Sequence, residues 1–305
     1  MSNRIKGVLS PVVTPFAEDS TVDLARFTTQ CKWLQANQIG LAFLGTNSEA
    51  NSISPDERIA MIDAVIDAGL DPSGMMPGTG SCDLPTTVRL TRHAVDRGCA
   101  GVLMLPPFYY KGVSDEGLYR YFSEVIQQVG DERLNIYLYH IPPVAQVSIT
   151  LPLIERLLKS YPSVVAGVKD SSGDWNNTQA MLTHFAPEGF DVFAGSETFL
   201  LRTLRGGGAG CISATANVNA PAIHALYKSW QEPDADSQQQ ALDKIRQIFQ
   251  QYPMIPALKS AIAHWSTTSS WTRVRPPLVE LDSQQHQGLI QQLEAAGFSI
   301  TGLET

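Results

Sequence analysis

No stretch of the chain reaches the roughly 18 to 20 consecutive apolar residues that a bilayer-crossing helix requires, so no membrane-spanning helix is expected. The first seven residues lead into Val8-Leu9-Ser10-Pro11, where proline and polar residues interrupt any core that a signal peptide would use, so the expected location is the cytoplasm. Cysteine is scarce: Cys31, Cys82, Cys99 and Cys211 form no Cys-x-x-Cys pair and have no histidine at zinc-ligand spacing, so buried free thiols are expected. The six histidines form no His-Glu-x-x-His motif. Positive charge is also short, with 22 Lys and Arg against 30 Asp and Glu and a net charge of -8. With no basic stripe interleaved with aromatics, nucleic acid is a poor partner; a small anion still fits, because a few local donors can reverse the field inside one pocket. Gly78-Thr79-Gly80 lacks the third glycine of a dinucleotide fingerprint, which argues against a nicotinamide enzyme. Gly206-Gly207-Gly208 follows a helix pattern and reads as a helix end with a tight turn.

What is present is an ordinary globular composition, 43% hydrophobic and 17% charged over 305 residues, enough for a large core. Short β-branched and apolar runs alternate with longer amphipathic segments up to about residue 230, the pattern of repeated βα units on a parallel sheet. Strands are expected at 7–13, 40–44, 75–78, 101–105, 135–139, 164–169, 191–194 and 210–214. Helix starts are marked by Ser54-Pro55-Asp56-Glu57, a capping box, and by Ser114-Asp115-Glu116 and Thr150-Leu151-Pro152. Eight such pairs fit a closed (β/α)₈ barrel better than an open doubly wound sheet. The expected division is a barrel over 1–230 and a helical C-terminal extension over 231–305, with helices at 237–252 and 283–297.

The active site of such a barrel lies at the C-terminal ends of its strands. Polar residues gather there in Gly45-Thr46-Asn47-Ser48-Glu49, Phe108-Tyr109-Tyr110, Tyr139-His140-Ile141-Pro142 and Gly167-Val168-Lys169-Asp170. Lys169 closes a run that should be buried on both faces, and Val165 and Gly167 on its side of the strand should leave room beside it. A partly desolvated amine is held neutral, the form that attacks a ketone to make a Schiff base. Position alone leaves two further readings: a lysine that snorkels to solvent, or one that pairs with Asp170. Tyr139 is likewise either a packed ring or a proton relay. The Thr46-Asn47 loop could offer backbone N–H groups to a carboxylate.

Taken together, these segments resemble the dihydrodipicolinate synthase and N-acetylneuraminate lyase superfamily, in the same order and spacing from Gly7 to about Val218. The resemblance implies a (β/α)₈ barrel with a helical extension, a homotetramer, and a lysine imine with pyruvate. It makes Lys169 the Schiff-base lysine and Tyr139 the proton-relay tyrosine. Thr46 and Asn47 fall where the family holds the pyruvate carboxylate, and the backbone of Ile212 helps line that pocket. Tyr110 matches a tyrosine that reaches into a neighbouring subunit's site, with Tyr109 as the register alternative.

Departures bear on the second half of the substrate. Synthases of the family carry an arginine five residues after the catalytic tyrosine; this chain has Val144, which cannot clamp a carboxylate and disfavours the 4-hydroxy-tetrahydrodipicolinate synthase reaction. Asn47 and the segment from Lys169 through Ser171 to Asp174 are more similar to 4-hydroxy-2-oxoglutarate and 2-keto-3-deoxy sugar acid aldolases. Gly195-Ser196-Glu197-Thr198 falls where sialic acid lyases hold substrate hydroxyls, with Glu197 kept as an acid. The expected function is therefore a class I lyase that cleaves or forms a 4-hydroxy-2-oxo acid, acts on a small molecule and uses no cofactor beyond the lysine imine. The alternatives are a sugar acid dehydratase using the same imine, a metal-dependent aldolase, and a non-catalytic 2-oxo-acid sensor.

Overall fold

A computed structural model describes residues 4–303; residues 1–3, within the segment expected to lack a signal peptide, and residues 304–305 lie outside the described residues. The chain divides into two compact units: Gly7–Leu70 with Ser213 onward, and Asp71–Ile212 with the N-terminal residues up to Lys6.

In the first unit, β1 (Gly7–Ser10) and β2 (Gly40–Leu41) pair in parallel through Leu9↔Gly40 and Ser10↔Leu41. The strand expected over 7–13 stops early because Pro11 has no N–H for the ladder. Beyond it the Asn217 side chain takes over the pairing: its Oδ1 accepts from Val13 N at 2.9 Å, and its Nδ2 donates to Pro11 O at 3.2 Å and Ala214 O at 2.9 Å. The helix α1 (Leu24–Ala36) is capped by Asp23 and buries Phe27, Cys31 and Leu34. The helix α2 (Pro55–Asp67) carries the complete capping box expected from Ser54 and Glu57.

The second unit holds β3 (Val102–Met104), β4 (Ile136–His140), β5 (Val165–Asp170), β6 (Asp191–Ala194) and β7 (Gly210–Ile212), adjacent in that order and all parallel. The helix α3 (Leu84–Asp96) precedes β3, and between the strands in sequence run α4 (Asp115–Val129), α5 (Pro142–Ala145), α6 (Leu151–Ser160), α7 (Trp175–Phe185) and α8 (Leu200–Arg205). Successive strand residues face opposite ways. Ile136, Leu138, Val168 and Val192 join Phe122, Leu157 and Leu182 from the helices in one core, each fully buried side chain contributing roughly 1.5–3 kcal/mol of transfer free energy. Tyr137, Tyr139, Gly167, Lys169 and Phe193 face the other way, in the register Tyr137↔Gly167 and Tyr139↔Lys169↔Phe193.

Two strand-level expectations are corrected. The strand at 75–78 is reduced to a bridge between Gly78 and Leu103, since Pro77 can accept from Leu103 N (2.9 Å) but cannot donate. The room expected beside Lys169 is occupied: a Cβ added to Gly167 would lie 2.8 Å from the Tyr137 ring, so that glycine is where the ring fits. Val165 turns into the helix-facing core instead, because the β4–β5 register shifts between Ile136↔Val165 and Tyr137↔Gly167. The triple glycine caps α8 as expected, with Gly207 at φ +82°. Among the described residues every element after Ile212 is helical: the first unit resumes with α9 (Ala220–Ser229), α10 (Ala235–Phe249), α11 (Met254–Trp265) and α12 (Ser283–Ala295), with one short 3₁₀ turn before α9 and another between α11 and α12. The succession is that of a (β/α)₈ barrel with a C-terminal helical extension. None of the described helices is long and apolar enough to cross a membrane.

Candidate active site

Lys169 and Tyr139 stand side by side on β5 and β4, both buried, at 2% and 3% exposure. The Lys169 Nζ donates to the Tyr139 Oη at 3.3 Å and lies 4.3 Å from the centre of its ring. The amine is too deeply buried to snorkel. Nor does it pair with Asp170, which as the next strand residue points the opposite way; its carboxylate accepts from Thr178 Oγ1 at 2.6 Å, Asn177 Nδ2 at 3.1 Å and Ser172 N at 2.9 Å. His140, beside Asp170, accepts from Ile149 N at 2.9 Å through Nδ1, so its proton sits on Nε2. Burial pushes the His140 pKa down, against the opposing pull of Asp170. The amine and phenol thus face one side of the sheet, while His140 and Asp170 lock the strand ends to the helices behind.

Ser171 and Gly195 also meet. Ser171 N donates to His140 O at 2.7 Å and Gly195 N to Asp170 O at 2.7 Å, which carries the pairing past the strand ends. A Cβ on Gly195 would lie 2.1 Å from Ser171 Oγ, so the two chains pass at a distance that only glycine allows. Glu197 is fully buried at the start of a short 3₁₀ turn that Ser196 caps. Ile212 ends β7 and is buried.

Tyr109 and Tyr110 are 74% and 73% exposed and pack edge to face at 5.4 Å. Lys111 ties their loop to α5 by donating to both Phe108 O and Ala145 O. Val144, on α5, is 61% exposed. The cysteines divide: Cys31 and Cys211 are buried as expected and Cys99 is half-buried, whereas Cys82 is exposed because it sits in the polar turn just before α3.

Thr46 and Asn47 belong to the first unit, in a turn closed by Ser48 N to Gly45 O at 3.2 Å and Glu49 N to Thr46 O at 3.1 Å. Sequence reasoning missed what holds this turn. Glu49 is fully desolvated against Lys259 of α11, and its other oxygen accepts from Arg275 N at 3.1 Å. The sequence shows no more than a lysine within Met254–Trp265, and nothing in that segment names its partner.

A chain of parallel βα units carrying a buried amine against a phenol at adjoining strand ends is a barrel lyase of the aldolase type, and the relatives agree. Residues 4–296 match the Dihydrodipicolinate synthetase family, and the chain belongs to that family. It is 32% identical over 284 residues to an uncharacterized DapA-like lyase of Chloroflexus aurantiacus, covering 92% of this chain and 93% of the relative. It is 31% identical to YagE of Escherichia coli, described as a putative 2-dehydro-3-deoxy-D-gluconate aldolase, covering 94% and 97% of the two chains. The YagE structure in complex with pyruvate superposes with a TM-score of 0.88 over 96% of this chain and 99% of that one, at 29% identity. Dihydrodipicolinate synthase from Agrobacterium tumefaciens superposes with a TM-score of 0.89 over 96% and 99%, at 28% identity.

Proposed function

We propose that the protein is a class I aldolase acting on a 4-hydroxy-2-oxo acid, with pyruvate as one product or substrate and Lys169 as its covalent carrier. The observation that carries this is the buried Lys169 Nζ at 3.3 Å from Tyr139 Oη. The neutral amine adds to the ketone, and the carbinolamine hydroxyl takes the Tyr139 proton and leaves as water, giving an iminium ion and a phenolate. That phenolate takes the C4 hydroxyl proton while the C3–C4 bond breaks and its electrons pass to the iminium nitrogen. The aldehyde departs, the enamine is protonated at C3, and hydrolysis returns pyruvate and the free lysine. The iminium is the electron sink, so this sequence of steps draws on no metal.

Around this centre the proposal assigns the carboxylate to the backbone amides of Thr46 and Asn47, with the Ile212 backbone lining the same end. Val144, Ser171 and Glu197 are assigned to the second half of the substrate, near the Gly195 crossing. Val144 favours a tail without the carboxylate that the synthases clamp, and the likeness to YagE supports a sugar-derived 2-oxo acid. Tyr110, or Tyr109 in its place, is assigned to a neighbouring copy's site in a homotetramer; the exposure of both rings supports that role.

The deciding experiment is borohydride reduction with pyruvate, followed by peptide mass measurement. A pyruvyl adduct on Lys169 is expected, and its absence sinks the proposal. A panel of 4-hydroxy-2-oxo and 2-keto-3-deoxy sugar acids then separates aldolase from dehydratase by the product released. Turnover abolished by a chelator would point to a metal-dependent aldolase instead.

A further inference from the structure

We propose that the buried Glu49–Lys259 ion pair is the device that positions the Gly45–Glu49 turn for the substrate's carboxylate. This rests on the assignment of Thr46 and Asn47 to that carboxylate. The turn is bracketed by two non-glycine residues in the left-handed region, Leu44 at φ 61° and Glu49 at φ 57°. Such conformations persist where the surroundings hold them. Here the hold is a set of named contacts. Thr14 Oγ1 donates to Ser48 O at 2.7 Å, which fixes the back of the turn. The Glu49 carboxylate accepts from Lys259 Nζ on one oxygen and from Arg275 N on the other. Lys259 in turn donates to Arg273 O at 2.8 Å and stands 4.5 Å from the centre of the Phe16 ring.

Both charged side chains have no exposed surface. A pair so placed is a poor way to stabilise a fold, since desolvating two charges costs about what their attraction returns and an apolar pair of equal volume often does better. What the ion pair supplies, and an apolar pair does not, is a single orientation for Glu49 and hence for the amides two and three residues before it. Burial raises the Glu49 pKa and lowers that of Lys259 to about 8, which is the mark of this cost. Glu49 and Lys259 are therefore positioning residues.

The test compares the wild type with the double variant E49L/K259M and the isosteric single variant E49Q. Three quantities are read: thermal unfolding, the pyruvate concentration giving half-maximal borohydride trapping on Lys169, and the trapping rate at saturation. The double variant is expected to unfold no earlier than the wild type, yet to need about tenfold more pyruvate for half-maximal trapping, with the saturating rate within about threefold. E49Q, which leaves Lys259 without its counter-charge, is expected to show the same split, and it decides alone should the double variant not fold. Half-saturation within about twofold of wild type in a folded variant overturns the inference. A wild type that takes no adduct on Lys169 overturns the proposed function itself, which is a separate result.

Discussion

Lys169 and Asp170 are neighbours in sequence with opposite assignments, one facing the phenol of Tyr139 and the other tied to Thr178 and Asn177 of α7. Replacing Lys169 with Met keeps the buried volume while removing the proposed nucleophile, so K169M should fold with a near-native melting curve and take no pyruvyl adduct by mass measurement. Y139F keeps the ring and loses the proposed relay; turnover is expected to fall by about a hundredfold while adduct formation persists, a split that single-turnover trapping reads directly. Position alone left the lysine open between a snorkelling, a paired and a reactive reading; the matched segments around Thr46, Tyr110 and Tyr139 singled it out, and the fold sets it against Tyr139. The packing of Tyr137 over Gly167 was not legible, because the register shift that brings them together is set by pairing between strands and leaves no trace in either strand alone. That shift makes Gly167 unforgiving. G167A would place a Cβ 2.3 Å from Asp191 O and 2.8 Å from the Tyr137 ring, and a loss of about 3 kcal/mol in urea unfolding is expected.

At the scale of elements, helix starts were the most readable feature, because a capping box depends on residues three apart. Ser54 and Glu57 exchange their bonds as that spacing demands, but Glu57 also receives both terminal nitrogens of Arg275, which lies 218 positions away. The Arg275 guanidinium, with Ser54 adding to it, holds the Glu57 carboxyl down to about 2. Its folded pKa is below its unfolded value, so the contribution to stability is full above about pH 4.5 and lost as pH falls towards 2. Allowing for a side chain that is 31% exposed, E57Q should cost about 1–2 kcal/mol at neutral pH. The difference between wild type and variant should shrink to nothing between pH 4.5 and 2 in urea titrations; a gap that stays constant across that window would refute the linkage. Strand limits were harder to read than helix starts. Pro11 and Pro77 each cut a strand that composition extended, since an apolar run says nothing about which N–H the ladder needs.

For the whole molecule, the alternation of strands and helices carried the architecture, and two of the four short segments at the strand ends, those with Tyr139 and Lys169, are set side by side. What they could not carry was the hold on the Thr46 turn, because Lys259 is an unremarkable letter until the fold sets it on Glu49. The proposed tetramer predicts a mass near four times 33.3 kDa by light scattering. Replacing both Tyr109 and Tyr110 with Ala should shift that mass downward if these exposed rings are buried between copies. The contrast between Gly195 and Val144 has a practical side for anyone wishing to redirect such a catalyst. Gly195 tolerates no substituent, whereas Val144 projects freely from α5. If Val144 meets the second half of the substrate as proposed, a mutagenesis library aimed at new aldehyde partners is best spent there, where diversity comes without damage to the scaffold, and wasted on Gly195.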